Sequence, residues 1–387
     1  MKNYNEILSE NKAWAEESFK KIDAKFSKVT LRSRDKLVDG VDKNGVHKSI
    51  NPRGWTSGFW GGLNHLLYNY TKNEEYLKTA NRSEELLDEA LDDFTKLYHD
   101  VGFMWHLVSG ANYRLSGDEK SKNRNLRAAA SLFSRYVMNG GFIRAWNNEW
   151  QGHDVTNWTI VDCMMNLPIL YWASEVIGDD RFAQIAKAHA DMSLCDHIRP
   201  DGSVVHIVEH DRETAGVITT HGGQGYAVGS CWSRGQAWGL YGFVLSYKHT
   251  GDERYLDAAK RIAHYFIANV CDDWLPRVDF RAPSEPVYYD STAGACAACG
   301  LIEIAKCVGE NESGMYMNAA VNILKALEKN FIDYNPETDA MLGFGTVLYP
   351  KNEKQMQGLH ISIIYADFFY TEAVLKLLGS EFNPWMK

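Results

Sequence analysis

Two kinds of helical segment alternate along this chain. The first kind is amphipathic and charged. EEYLKTANRSEELL (from Glu74), DRFAQIAKAHADMSL (from Asp180), ERYLDAAKRIAHYFI (from Glu253) and GMYMNAAVNILKALE (from Gly314) share one pattern. An aromatic is followed by alanines and apolar residues at helical spacing, with charges on the opposite face. NRNLRAAASLFSRYV (from Asn123) is a weaker copy, and Tyr4–Phe26 makes a sixth. The second kind carries few charges and is often rich in glycine and alanine. It is predicted near Thr56–Tyr70, Phe103–Leu115, Trp158–Ile177, Cys231–His249, Ser291–Val308 and Ile361–Leu378. Gly117, Gly178, Gly251, Gly309 and Gly379 follow these segments as expected C-cap glycines.

Charged helix followed by apolar helix, six times over, predicts an all-α fold: an (α/α)6 barrel of six inner and six outer helices forming one catalytic domain over residues 1–387. An open solenoid is the alternative, but its ends need polar caps. The last inner segment, DFFYTEAVLKLL, is too apolar for a free end. Loops into the inner helices are long and carry Gly, His, Trp and Asp, whereas loops out of them (TKN, SGD, IGDD, TGDE) are short. Closure therefore gathers the long loops at one mouth, the candidate site. Gly202–Asp211 alternates and is β-branched, which predicts a small β element near that mouth.

Composition narrows the function. Hydrophobic residues at 45% and charged residues at 24% are ordinary for a soluble globular protein. A net charge of −9 argues against a nucleic-acid or anionic-membrane partner. The N-terminus has no apolar leader core and no long uncharged apolar run follows, so a cytoplasmic location is expected, with free thiols at all seven cysteines. Cys296 and Cys299 form a C-x-x-C without a second pair and read as helix-packing residues. No metal and no cofactor motif is found: neither a P-loop nor a G-x-S-x-G elbow is present, and HGGQGYAVG lacks dinucleotide spacing.

The candidate chemistry starts at NWTIVDCMMNLPILYW (Asn157–Trp172). Read as one helix, it is apolar on nearly every side, yet Asp162 sits in its second turn with Asn166 one turn on. A carboxylate there is either a hydrogen-bonded core residue or an acid kept protonated for proton transfer. Asp100, in HDVGF, precedes the second inner helix. It is expected to cap that helix and to stay ionised there. Arg234, at the start of the fourth inner helix in CWSRGQAWG, either pairs with a carboxylate of the fold or faces an anionic substrate. His206 and Gln224 are polar neighbours, and Trp55, Phe59, Trp146 and Trp238 are core aromatics or sugar platforms.

HDVGF, IVDCMMNLPILYWA, SCWSRGQAWGLYGF and YYDSTAGACAACGLIEIA, in that order, resemble the unsaturated glucuronyl hydrolases, glycoside hydrolase family 88; the resemblance runs from about Trp55 to Leu378. It implies the same (α/α)6 barrel. It also implies action on an unsaturated uronyl di- or oligosaccharide, as left by polysaccharide lyases, through hydration of the 4,5 double bond. Asp162 matches the family's acid/base and Asp100 its second carboxylate. His206, Gln224, Arg234 and Trp238 match substrate-contacting positions; Trp55, Phe59 and Trp146 match its aromatic contacts. Thr346, Tyr349 and Lys351 fall where the family tunes acceptance of sulfate, in a pattern that assigns none here. No cofactor is implied, and either a monomer or a homodimer is compatible. The rival readings are an unsaturated rhamnogalacturonyl hydrolase on pectin fragments, a sugar 2-epimerase on the same barrel, and a sugar-binding helical scaffold without catalysis.

Overall fold

The charged segments fold into an outer ring because each has only one apolar stripe to bury. The computed structural model describes residues 2–150 and 152–386. Its helices are α1 (Tyr4–Arg32), α2 (Phe59–Thr71), α3 (Glu74–Asp92), a π-helix (Gly102–Gly110) continued by α4 (Ala111–Ser116), α5 (Glu119–Phe133), α6 (Pro168–Ile177), α7 (Arg181–Asp196), α8 (Ser233–Thr250), α9 (Glu253–Val270), α10 (Ser291–Cys307), α11 (Glu310–Phe331) and α12 (Ile364–Leu377). The odd-numbered helices are the outer six. Side-chain caps start most of them: Asn73 accepts from Glu75 N–H, Asp118 from Ser121 N–H and Asp252 from Arg254 N–H.

The inner ring closes. Each inner helix packs on the next, and α12 returns to α2; outside, α1 packs on α11. An open solenoid has no such contact between first and last elements. The inner helices are buried all round: every residue of α10 from Ser291 to Ala305 lies in the core, including Cys296 and Cys299. All seven cysteines are free thiols. Left-handed residues at Gly117, Gly178 and Gly251 turn the chain sharply from inner to outer helix. Gly309 differs from expectation: it is the N-cap of α11 with a negative φ, and α10 ends at Cys307 with Val308 as its C-cap. Among the described residues no helix is long and apolar enough to cross a membrane.

The reading of Trp158–Ile177 as one helix is corrected. Nine short strands decorate the mouth: β1 (Val38–Val41), β2 (His47–Ser49), β3 (Tyr136–Val137), β4 (Phe142–Ile143), β5 (Glu149–Trp150), β6 (His153–Asp154), β7 (Trp158–Ile160), β8 (Ile207–His210) and β9 (Val217–His221). The segment begins as β7, which joins β8 and β9 in an antiparallel sheet, passes through a 3-10 turn at Val161–Met165, and becomes helical only at Pro168. Two local causes account for this. Thr159, Ile160 and Val161 are a β-branched run that favours a strand. Proline lacks an N–H and therefore suits the first turn of a helix, not its middle. The apolar character was read correctly, since Val161, Cys163, Met164, Met165 and Leu167 are fully buried.

The turn rests on α8 at a glycine. A Cβ built on Gly242 would lie 2.5 Å from Met164 Cβ and 2.8 Å from Met164 C. Gly242→Ala gains up to about 1 kcal/mol in helix propensity, but the clash is backbone-limited and outweighs it. The expected net loss is about 1–3 kcal/mol, measured by urea unfolding; a variant as stable as wild type would contradict this packing.

Candidate active site

Antiparallel pairing brings the central carboxylate to its neighbour. Ile160 pairs with Ile207, and Val161 N–H donates to His206 O at 3.1 Å, so the next residue, Asp162, emerges beside His206. His206 Nε2 lies 3.5 Å from Asp162 Oδ1. The Gln224 backbone N–H donates to His206 Nδ1 at 3.1 Å. The same nitrogen lies 3.4 Å from the Gly222 carbonyl oxygen, so the His206 ring is held between two backbone groups with its Nε2 edge towards Asp162.

Asp162 and Asp100 line one chamber of about 120 Å³, together with Trp55, Tyr98, His99, Trp146, Ile160, Gln224, Trp232 and Arg234. A larger cavity of about 450 Å³ adjoins it and shares Trp55, Gln224 and Arg234. The smaller chamber has the acids; the larger has room for the rest of a chain molecule.

The roles expected of the two acids from their positions are corrected. Asp100 does not cap the helix after it. The π-helix has no side-chain cap on its own preceding residue; instead Asn166 Oδ1 accepts from Phe103 N–H at 2.9 Å. Asp100 is the more buried acid, with the Asn166 amide 3.2 Å and His99 Nδ1 3.4 Å from its Oδ1. Burial first, then the nearby Asp162 carboxylate, push the Asp100 carboxyl well above its ordinary range, against smaller opposing effects of Asn166 and Arg135. Asp162 keeps 15% of its side-chain surface exposed, towards the chamber. His99 is fully buried and pulled down to about 3, so it is a neutral imidazole at neutral pH.

Arg234 resolves both ways. Its guanidinium is buried and pairs with Asp290, while also donating to Thr292 Oγ1 at 3.1 Å, Thr346 O at 2.6 Å and Val347 O at 2.8 Å. It stacks 4.4 Å over Trp232, whose other neighbour is the His206 ring at 4.2 Å. Its Nε–H finds no protein partner although the residue lines the chamber. It is thus an ion pair of the fold that also holds two backbone carbonyls of the last mouth loop. Gln224 Nε2 also donates to Val347 O, at 2.7 Å, so both residues grip the last mouth loop.

The structure places Phe59 and Trp238 elsewhere than on the chamber wall. They are 0% and 1% exposed and pack against Phe103 at 5.3 Å each, in an aromatic floor beneath the chamber. Trp55 and Trp146 do line it. Trp232, Tyr98, His99 and Ile160 line it too and were missed. Trp232 had a readable signal: it immediately precedes α8 and so belongs to the mouth, whereas Trp238 lies inside the helix. Of the three last-loop residues, Thr346 is buried and spends its hydroxyl on Tyr289 O (2.7 Å), Tyr349 is 7% exposed, and only Lys351 is exposed.

With this geometry in place, comparison with known proteins gives a consistent answer. The family model for Glycosyl Hydrolase Family 88 matches residues 27–245. An unsaturated glucuronyl hydrolase from Bacillus sp. GL1 is 35% identical over 90% of this chain and 92% of its own. An unsaturated chondroitin disaccharide hydrolase from Streptococcus pneumoniae is 30% identical over 86% of this chain and 83% of its own. A crystal structure of the Bacillus sp. GL1 unsaturated glucuronyl hydrolase, described as responsible for the degradation of glycosaminoglycan, superposes with a TM-score of 0.85 at 32% identity, covering 92% and 96% of the two chains.

The position of Asp100 makes a stability prediction. Its folded-state proton affinity lies above the ordinary value of 3.8, so between 3.8 and the folded value the native state binds more protons than the unfolded one. Stability then falls as pH rises through that window. Asp100→Asn removes the cost. Its melting temperature should exceed that of wild type by a few degrees at pH 8 and converge with it below about pH 4; a variant less stable at pH 8 would contradict the burial of an uncompensated acid.

Proposed function

This chain belongs to glycoside hydrolase family 88, and from that premise we propose that it removes a 4,5-unsaturated uronic acid from the non-reducing end of lyase-generated oligosaccharides, such as those from glycosaminoglycans. The observation that carries this reading is the placement of two carboxylates on one chamber, with tryptophans and a guanidinium in the same lining.

The chemistry is hydration of an enol ether. Asp162 is the residue we assign as acid/base; both acids line the chamber, and Asp162 is the more exposed, 15% of its side chain against 10% for Asp100. It gives a proton to C4, which leaves oxocarbenium-like charge at C5. It then takes a proton from the water that attacks C5. The product is a hemiketal. Its opening frees a hemiacetal at C1, which expels the next sugar as an alcohol. Asp100 acts by charge: it and the Asp162 carboxylate interact, and that interaction adds to burial in raising the proton affinity of Asp100. His206, whose Nε2 lies 3.5 Å from Asp162 Oδ1, is the candidate for orienting that carboxyl. Arg234 and Gln224, which line the chamber, are the candidates for the substrate carboxylate, and Trp55 and Trp146 for the sugar faces.

The test follows the ultraviolet absorbance of the conjugated double bond in unsaturated chondroitin, hyaluronan and rhamnogalacturonan disaccharides. Wild type should bleach the glycosaminoglycan substrates. Asp162→Asn should fold normally and lose turnover by roughly a thousandfold or more; turnover within tenfold of wild type would remove Asp162 from the reaction.

A further inference from the structure

Asn166 sits between the turn that carries Asp162 and the carboxyl of Asp100, and the chemistry above gives it no role. It is fully buried, one residue beyond the 3-10 turn that bears Asp162. Its amide nitrogen donates to Asp100 Oδ1 at 3.2 Å and approaches Asp162 O at 3.4 Å; its amide oxygen accepts from Phe103 N–H at 2.9 Å. One side chain therefore touches the turn carrying one acid, the carboxyl of the other, and the first turn of the π-helix. Gly102 reflects the same closeness: a Cβ there would lie 2.7 Å from both Asn166 Cα and Oδ1, so only glycine lets the π-helix approach.

We infer that Asn166 is a positioning residue for the carboxylate pair, holding Asp100 at a set distance from the Asp162 turn and supplying Asp100 with a hydrogen-bond donor. The inference rests on the reading of Asp162 and Asp100 as the reacting pair. A donor to a carboxylate favours its ionised form. The groups around Asp100 are few: His99 and Tyr98 on its own loop, Asp162 and Cys163 on the turn, and Arg135 after α5. His99 is neutral, Asp162 favours protonation, and Arg135 and Asn166 favour ionisation. Losing Asn166 removes one of two restraints on the proton affinity of Asp100.

Two variants separate this role from simple capping. Asn166→Asp keeps an oxygen for Phe103 N–H but presents oxygen in place of the donor facing Asp100. Asn166→Ala loses both. Carboxyl titrations of ¹³C-aspartate-labelled, ligand-free protein should show Asp100 titrating at higher pH than in wild type in both variants. Both should lose roughly a hundredfold in kcat, the pH–rate profile should move to higher pH, and in Asn166→Ala KM should change less than threefold. Asn166→Asp with kcat within threefold of wild type and an unmoved profile would reduce Asn166 to a helix cap and overturn the inference. So would an unmoved Asp100 titration in Asn166→Ala. The titration uses no substrate: if wild type fails to act on unsaturated uronyl disaccharides, the proposed function falls, and the titration alone still decides the role of Asn166.

Discussion

Burial of the Asp100 carboxyl beside Asp162 is the constraint around which the mouth is built. A buried carboxylate is costly, and a second one beside it makes ionising both costlier still. The fold tolerates this by anchoring each acid on a different element. Asp162 is held by the strand pairing that sets it beside His206, and Asp100 by the loop before a π-helix whose first turn is fastened to Asn166. π-Helical turns are rare and recur at functional sites; here one spans the floor directly below the acids, with Phe103 packed against Phe59 and Trp238.

The barrel supplies the rigidity. Its inner ring is closed, so the long loops converge on one mouth without an exposed end. Long irregular loops, however, carry backbone carbonyls that no ladder satisfies. Two buried guanidiniums meet that need. Arg135 donates to Leu97 O, Arg144 O, Ala145 O, Trp146 O and the Asn147 side chain, which fixes the loop that presents Trp146. Arg234 does the same for Thr346 and Val347 at the last loop, balanced by Asp290. Five donors in a fixed plane suit this task better than a lysine ammonium.

Much of this was legible in the chain. The alternation of charged and apolar helices gave the barrel, because each outer helix has one stripe to bury and each inner helix has no polar face. The length of the mouth loops gave the location of the site. What was misread depended on tertiary context. Trp158–Met165 looked helical by apolarity, and only its β-branched residues and Pro168 marked the break. The burial order of Asp100 and Asp162 follows from how deeply two loops descend, which no local pattern encodes. Phe59 and Trp238 share the aromatic character of Trp55 and Trp232, but belong to helices α2 and α8 and are packed in the core instead of lining the chamber.

The account turns on a carboxyl group that protonates a ring carbon instead of a glycosidic oxygen. Turnover of an unsaturated chondroitin disaccharide in deuterium oxide, read by NMR at early times, tests this most directly. One deuterium should appear at C4 of the released uronate, on a single face, with loss of the double bond in step with release of the second sugar. Release of that sugar with the double bond intact and C4 free of deuterium would contradict it.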